Sequence, residues 1–316
     1  MSQHEQTTTE HEVTIEAPAE VVYDIVADAV RWPQCFPPNI HVERTGLGPD
    51  TEHLRIWAMA NDEIKTWTSR RRLDPGALRV EFAQETPTPP VAFMAGTWQV
   101  RRGPGGGCTL TLTHSFDALD GDPDGRAWIA AAIERNSGSE LAGLKDLAER
   151  PGGWDCLTFS FEDTTDVHGS AAHVYDFLRD AGQWPTRLPH VASLDMREDT
   201  PDLQLMTMTT RAANGSTHVT RSARVCFPER RIVYKQLVTP ALLDSHTGEW
   251  LIEPSGDGAV RVTARHTVTL NEPAIATVLG PSATVASAGE FVRTAIGTNS
   301  RATLEHAKDF AQASHV

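Results

Sequence analysis

The sequence predicts an α+β protein of two tandem copies of one domain. Each copy is a curved antiparallel sheet of about seven strands wrapped around a long C-terminal helix, with two short helices near its start. Three observations carry this prediction. Residue pairs recur at one fixed spacing, short segments alternate apolar with polar residues, and each copy closes on a long run of helical period.

The repeat comes first, because it sets the domain count. Tyr23-Asp24 returns as Tyr175-Asp176, Trp32-Pro33 as Trp184-Pro185, and Pro37 as Pro189. Val80, Phe82 and Gln84 return as Ile232, Tyr234 and Gln236; Gly96-x-Trp98 returns as Gly248-x-Trp250, and His114 as His266. Every pair lies 152 residues apart. Asn136-Ser137 and Asn299-Ser300 match at 163 instead, so the second copy holds extra residues around Asn271–Ala286. The copies span residues 1–150 and 155–316, joined through the turn-prone Arg150-Pro151-Gly152-Gly153.

The elements of one copy follow in order. A first strand near Glu10–Glu16 meets Ala17-Pro18-Ala19, which opens a short helix reaching about Asp28, and a second short helix carries Trp32. Period-two segments follow: Leu54, Ile56 and Ala58; Trp67, Ser69, Arg71 and Leu73; Leu78, Val80 and Phe82; Met94, Gly96 and Trp98; Leu110, Leu112, His114 and Phe116. Asp74-Pro75-Gly76 and the glycine-rich 103–107 separate some of them. The long helix carries Trp128, Ile129, Ala132, Ile133, Leu141, Leu144 and Leu147; its partner carries Phe291, Ala295, Ile296, Leu304, Ala307 and Phe310. A bent sheet gripping one helix leaves a cup between them, a common home for small-molecule sites.

Composition narrows the partners. Lys and Arg number 28 against 42 Asp and Glu, a net charge of −14, which argues against nucleic acid or an anionic membrane. No window approaches the ~18 apolar residues of a membrane span. The polar, acidic N-terminus lacks a signal pattern, and Cys35, Cys108, Cys156 and Cys226 are scattered singly, so reduced thiols and a cytoplasmic location are expected. No metal, nucleotide or flavin signature is present, and no cofactor is expected.

Strand parity then selects the candidate site. Trp67, Ser69, Arg71 and Leu73 share a face whose apolar members make it the inner one, while Arg70 and Arg72 point out. Burying an unpaired guanidinium, which cannot shed its proton, costs several kcal/mol. A carboxylate or backbone carbonyls would compensate and make Arg71 structural; an oxygen-rich ligand would make it an anchor for carbonyl or enolate oxygens. Ser69, Gln84 and His114 share this interior, and Trp32, Trp67, Met94 and Trp98 suit the wall of a site for a flat conjugated ligand.

At the constant spacing, the second copy turns Arg221 inward together with Val219, Ala223, Val225 and Phe227. A one-residue slide would equate Arg71 with Arg224 instead; the flanking matches favour Arg221. His246 stands at the Met94 place, Asp244 at that of Ala92 and Tyr234 at that of Phe82, so this cup, with His266 and Trp250, holds more groups able to move protons. A solvated strand end would account for Asp244 and His246 equally well.

Trp32-Pro33, Lys65-Thr-Trp-Thr-Ser-Arg-Arg71, Trp98 and the terminal Asn-Ser helix resemble the aromatase/cyclases of bacterial type II polyketide synthases, and the tandem copies resemble their di-domain subclass. The resemblance implies the helix-grip fold, also called START or Bet v 1-like. It implies cofactor-free aldol cyclisation and dehydration of a poly-β-ketone on an acyl carrier protein, alongside other synthase subunits. First-ring C7–C12 closure and dehydration of a ring already reduced at C9 are both open. It makes Arg71 the leading catalytic candidate, with Trp67 and Trp98 lining the pocket. The single-domain pattern has a tyrosine where this chain has Asn39. Ser69, His246 and Tyr234 are candidates for proton transfer, with Arg221 as the second-copy cation. The expected division of labour is cyclisation in the first copy and dehydration in the second. Arg70, Arg72, Arg101 and Arg102 are candidates for a basic rim that docks an acidic carrier protein. The alternative function is a non-catalytic carrier of hydrophobic small molecules on the same fold.

Overall fold

The computed structural model describes residues 6–46, 48, 50–153, 155–211, 215–256 and 258–313. The alternating segments form two seven-stranded sheets. The first holds β1 (Thr7–Ile15), β2 (Asn39–Gly46), β3 (Thr51–Ala60), β4 (Glu63–Asp74), β5 (Arg79–Thr86), β6 (Val91–Arg102) and β7 (Cys108–Ala118). The second holds β8 (Thr158–His168), β9 (Val191–Thr200), β10 (Leu203–Arg211), β11 (Thr217–Phe227), β12 (Arg231–Val238), β13 (Leu243–Pro254) and β14 (Ala259–Leu270). Strand order is β1-β7-β6-β5-β4-β3-β2 and β8-β14-β13-β12-β11-β10-β9. Each is a meander whose opening strand returns beside the last, and neighbours run antiparallel. The chain divides into two compact units, Met1–Cys156 and Leu157–Val316.

Helices α1 (Ala19–Ala27), α2 (Trp32–Cys35) and α3 (Pro123–Ala148) complete the first unit. Asp122 caps α3: its carboxylate accepts from the amides of Asp124 at 3.2 Å and Gly125 at 3.0 Å, with Pro123 in the first turn. The second unit has α4 (Ala171–Arg179), α5 (Trp184–Arg187), α6 (Glu272–Leu279) and α7 (Val285–Ala313). The extra residues of the second copy fold as α6. Thr284 and Ser287 cap α7 reciprocally, each side chain accepting from the other's amide at 3.2 and 2.9 Å.

The first core is split in two. Ile15, Val22, Ile25, Trp98, Leu141 and Leu144 pack at one end of α3, and Met94, Phe116, Ile129 and Ile133 at the other. Between them α3 offers Ala132, Asn136, Ser137 and Glu140 to the sheet. Small and polar side chains cannot fill that span, so a void remains.

The expected inward Arg221 is corrected. Ser69 and Arg71 pair across to Gln84 and Phe82, and Ser222 and Arg224 pair across to Gln236 and Tyr234. Arg224 therefore holds the Arg71 place, 153 residues on, and is fully buried, while Arg221 is half-buried. The slip is confined to one strand. An extra residue enters within 212–216, partly outside the described residues. It is returned at the next turn, where three residues separate Phe227 from Arg231 against four between Asp74 and Arg79.

Candidate active site

A cavity of about 170 Å³ lies between α3 and the first sheet. Trp32, Trp67, Ser69, Arg71, Gln84, Met94, Trp98 and His114 all line it. Its wall runs from buried Trp32, Ser69 and Arg71 to half-buried Lys65, Thr88 and Trp128 and exposed Pro89, so the floor is at Arg71 and the mouth at the β5–β6 connection.

Arg71 is 1% exposed, and the protein itself holds it. Nη1 donates to the Val26 carbonyl at 3.3 Å and Nη2 to the Ala27 carbonyl at 2.8 Å. These are C-terminal carbonyls of α1, free of intrahelical partners and at the negative end of the helix dipole. Nε lies 3.2 Å from Oε1 of Glu52, and the guanidinium sits 4.9 Å above the Trp32 ring. Burial pulls its pKa down to about 10, with Glu52 the largest opposing influence, so it stays cationic at neutral pH. A guanidinium carries five N–H groups, and two carbonyls and one carboxylate do not exhaust it. Arg71 is thus a held cation at the floor of an apolar chamber.

The walls supply proton-handling groups. Ser69 is buried, and its hydroxyl donates to the Ala83 carbonyl at 3.1 Å. His114 packs edge-on against Phe82, with ring centroids 5.5 Å apart, and its Nδ1 is buried without a hydrogen-bond partner. Burial, helped by His11, pushes its pKa down to about 4, so it is neutral at pH 7. Glu140 adds a half-buried carboxylate, whose Oε1 accepts from Asn39 Nδ2 at 3.1 Å.

Sequence reasoning missed Glu52 and Glu140, although both had a signal. Glu52 continues the inward period of Leu54, Ile56 and Ala58, and Glu140 continues the helical stripe of Ile129, Ile133, Asn136 and Ser137.

The second cup is built alike and filled differently. Arg224 donates to the carbonyls of Leu178 at 2.5 Å and Arg179 at 3.4 Å, and faces Trp184 at 5.3 Å. At the Glu52 place stands neutral Gln204, which donates to Glu198 at 2.8 Å. Burial pushes the Arg224 pKa down. Tyr234, His246 and His266 meet: the phenol lies 2.9 Å from His266 Nδ1 and 3.4 Å from His246 Nε2, the two imidazole nitrogens are 3.2 Å apart, and His266 Nε2 reaches Ser300 at 3.2 Å. Trp250 lies 4.9 Å from the Tyr234 ring. Burial raises the Tyr234 pKa, and lowers His246 to about 3 and His266 to about 4. Asp244 is corrected: a register shift between Leu243 and Ser245 turns it out to solvent, apart from His246.

The expected basic rim is also revised. Arg70, Arg72, Arg101 and Arg102 are exposed, but Arg72 lies 3.6 Å from Glu81 and Arg102 lies 2.6 Å from Glu20. Arg101 and Arg102 end the strand whose first residue, Val91, lines the cavity mouth, so they sit at the opposite end. Among the described residues no group of side chains fits a metal ion, no helix is long and apolar enough to cross a membrane, and all four cysteines are free.

A buried cation at the floor of an apolar chamber, with an imidazole and a carboxylate on its walls, can seat a flat, oxygen-rich guest, stabilise oxyanions and move protons. Comparison with known proteins bears on what that guest is. Residues 6–149 and 167–288 match two family models, each described as polyketide cyclase / dehydrase and lipid transport. The actinorhodin polyketide synthase bifunctional cyclase/dehydratase of Streptomyces coelicolor is 45% identical over 94% of each chain. The granaticin counterpart of Streptomyces violaceoruber is 44% identical over 96% of this chain and 94% of its own. The crystal structure of the di-domain aromatase/cyclase BexL, from the BE-7585A pathway, has a TM-score of 0.82 at 49% identity, covering 96% of this chain and 98% of its own. StfQ, from the steffimycin pathway, has a TM-score of 0.82 at 34% identity, covering 97% and 99%.

Proposed function

Because this chain belongs to the polyketide cyclase/dehydrase family and is an aromatase/cyclase of aromatic polyketide biosynthesis, we propose that its first-domain cavity carries the chemistry. The substrate is a poly-β-ketone delivered on an acyl carrier protein, within a type II polyketide synthase pathway of the cytoplasm. The reaction is first-ring closure of the C7–C12 type, followed by dehydration.

The chemistry follows from the substrate. A methylene between two carbonyls is acidic, and Glu140 takes its proton. The enolate oxygen gathers charge beside Arg71, whose remaining N–H groups stabilise it without losing a proton. The enolate carbon attacks a carbonyl farther along the chain and a C–C bond forms. The alkoxide receives a proton from neutral His114, and His114 regains one from Glu140, which gives up the proton it took, so both groups return to their starting state. Glu140 then takes a second methylene proton, and that proton passes by the same route through His114 to the hydroxyl, which leaves as water; the resulting dienone enolises to the aromatic ring. Trp32, Trp67, Met94, Trp98, Gln84 and Ser69 fold the chain so that one carbon pair meets, which supplies regiochemistry and much of the rate.

The observation that supports this reading is the placement of Arg71, His114 and Glu140 around one cavity. The first cup adds a carboxylate, Glu140, to its arginine and imidazole, and this supports it as the site of proton transfer. In the second, burial weakens Tyr234 as an acid and His246 as a base, as it weakens His114 as a base in the first. Product profiling of Arg71→Ala, His114→Gln and Glu140→Gln beside the cognate synthase tests the assignment. Each variant should lose at least tenfold of aromatised product and accumulate shunt products of uncatalysed folding. Wild-type profiles from all three would overturn it.

A further inference from the structure

The two cups share one construction detail that differs by a single oxygen atom. Gly96 and Gly248 face Phe82 and Tyr234 across paired strands. A Cβ at Gly96 would lie 2.4 Å from Phe82 Cζ and 2.1 Å from the Thr113 carbonyl; at Gly248 it would lie 2.5 Å from the Tyr234 hydroxyl oxygen. Each glycine therefore lets the opposing ring lie flat against the backbone, and the ring's far edge then meets a histidine on the next strand. The ring planes cross at 67° for Phe82 and His114 and at 66° for Tyr234 and His266. The consequences differ. His266 Nδ1 is held by the Tyr234 hydroxyl at 2.9 Å, with His246 Nε2 also within 3.2 Å, and its Nε2 is held by Ser300 at 3.2 Å. His114 Nδ1 is buried with no partner, because Phe82 has nothing to offer it.

We propose that Phe82 is a positioning residue that keeps His114 free to exchange tautomers, and that Tyr234, at the same place in the second copy, locks His266 into one. The hydrogen bond made by one ring nitrogen sets the proton on the other. A phenol donating to Nδ1 fixes the proton on Nε2, leaving the imidazole a permanent donor toward Ser300. An imidazole whose Nδ1 meets only an apolar ring has no partner there that assigns its proton to one nitrogen. It can therefore give up a proton in one step and take one in the next, as cyclisation followed by dehydration requires. This position adds to the other differences between the cups, Gln204 for Glu52 and His246 for Met94. The inference rests on the assignment of His114 to proton transfer.

The test is Phe82→Tyr in the full chain, beside Phe82→4-fluorophenylalanine, which adds similar bulk and no O–H, and His114→Gln. All are profiled with the cognate synthase, and ring ¹⁵N NMR reads the His114 tautomer. Phe82→Tyr should cut aromatised product at least tenfold and move His114 to a single Nε2–H tautomer, while the fluorinated variant stays within threefold of wild type. Equal activity of both Phe82 variants, or an equal loss in both, would overturn the inference. A wild-type profile from His114→Gln would remove the assignment beneath it, whatever the Phe82 variants show. A loss in His114→Gln with full activity in Phe82→Tyr would remove the inference alone.

Discussion

Arg71 shows how one side chain serves stability and chemistry together, and how the two can be separated. Its cost of burial is met by the α1 carbonyls and Glu52, so removing it leaves a buried carboxylate with only the more exposed Arg44, 3.7 Å away, as a charged partner. Breaking such a pair typically costs about 3–5 kcal/mol, whereas replacing both partners by neutral groups is far milder. Arg71→Met should therefore lower stability in urea by about that amount, and Arg71→Met with Glu52→Gln should recover most of it while staying inactive. A double variant that regains activity would show that Arg71 only supports the fold. The buried histidines make a second prediction. His114, His246 and His266 have folded pKa values of about 4, 3 and 4, below the unfolded value of about 6.5. The unfolded chain then binds more protons below pH 6.5, so stability falls as pH drops through that window, by at most ~1.4 kcal/mol per pH unit for each histidine. Unfolding free energies at pH 7 and pH 5 should differ by about 2 kcal/mol or more; equal values would mean that these imidazoles are not buried neutral.

Elements decide where those residues point. Gly96 has no room for a Cβ, and Gly96→Ala should destabilise by about 1–3 kcal/mol by driving Phe82 off the backbone, read as a fall in urea midpoint. A tolerated alanine would mean that strands β5 and β6 are less closely pressed than the distances imply. Most elements were legible in the sequence, because amphipathic strands and helices write their period into it: the repeat located both sheets, both long helices and the added segment that became α6. Two things were not legible. Turn length does not show in an alternating pattern, so the one-residue slip of β11 stayed hidden between matches at a spacing of 152 on either side. Parity could not reveal it either, since Ala223 and Val225 are buried on one face and Ser222, Arg224 and Cys226 on the other. The exposure of Asp244 depends on a register shift that leaves no mark in composition.

At the scale of the whole molecule, duplication has kept a scaffold and changed its contents. Both units keep an arginine on the last carbonyls of the first helix, a tryptophan beneath it and a glycine opposite an aromatic ring. Only the first pairs its arginine with a carboxylate on the next strand and leaves its histidine nitrogen unclaimed. The expected split places dehydration in the second copy, whereas the function proposed above has one cavity perform both steps. The most direct measurement is the stoichiometry and location of a bound 1,8-dihydroxyanthraquinone, by calorimetry and a co-crystal structure, on wild type and on the Arg71→Met, Glu52→Gln double variant. One equivalent per chain, seated between α3 and the first sheet with an oxygen on Arg71 and lost in the double variant, is the predicted result. A ligand seated in the second unit, or binding unchanged without Arg71, would contradict it.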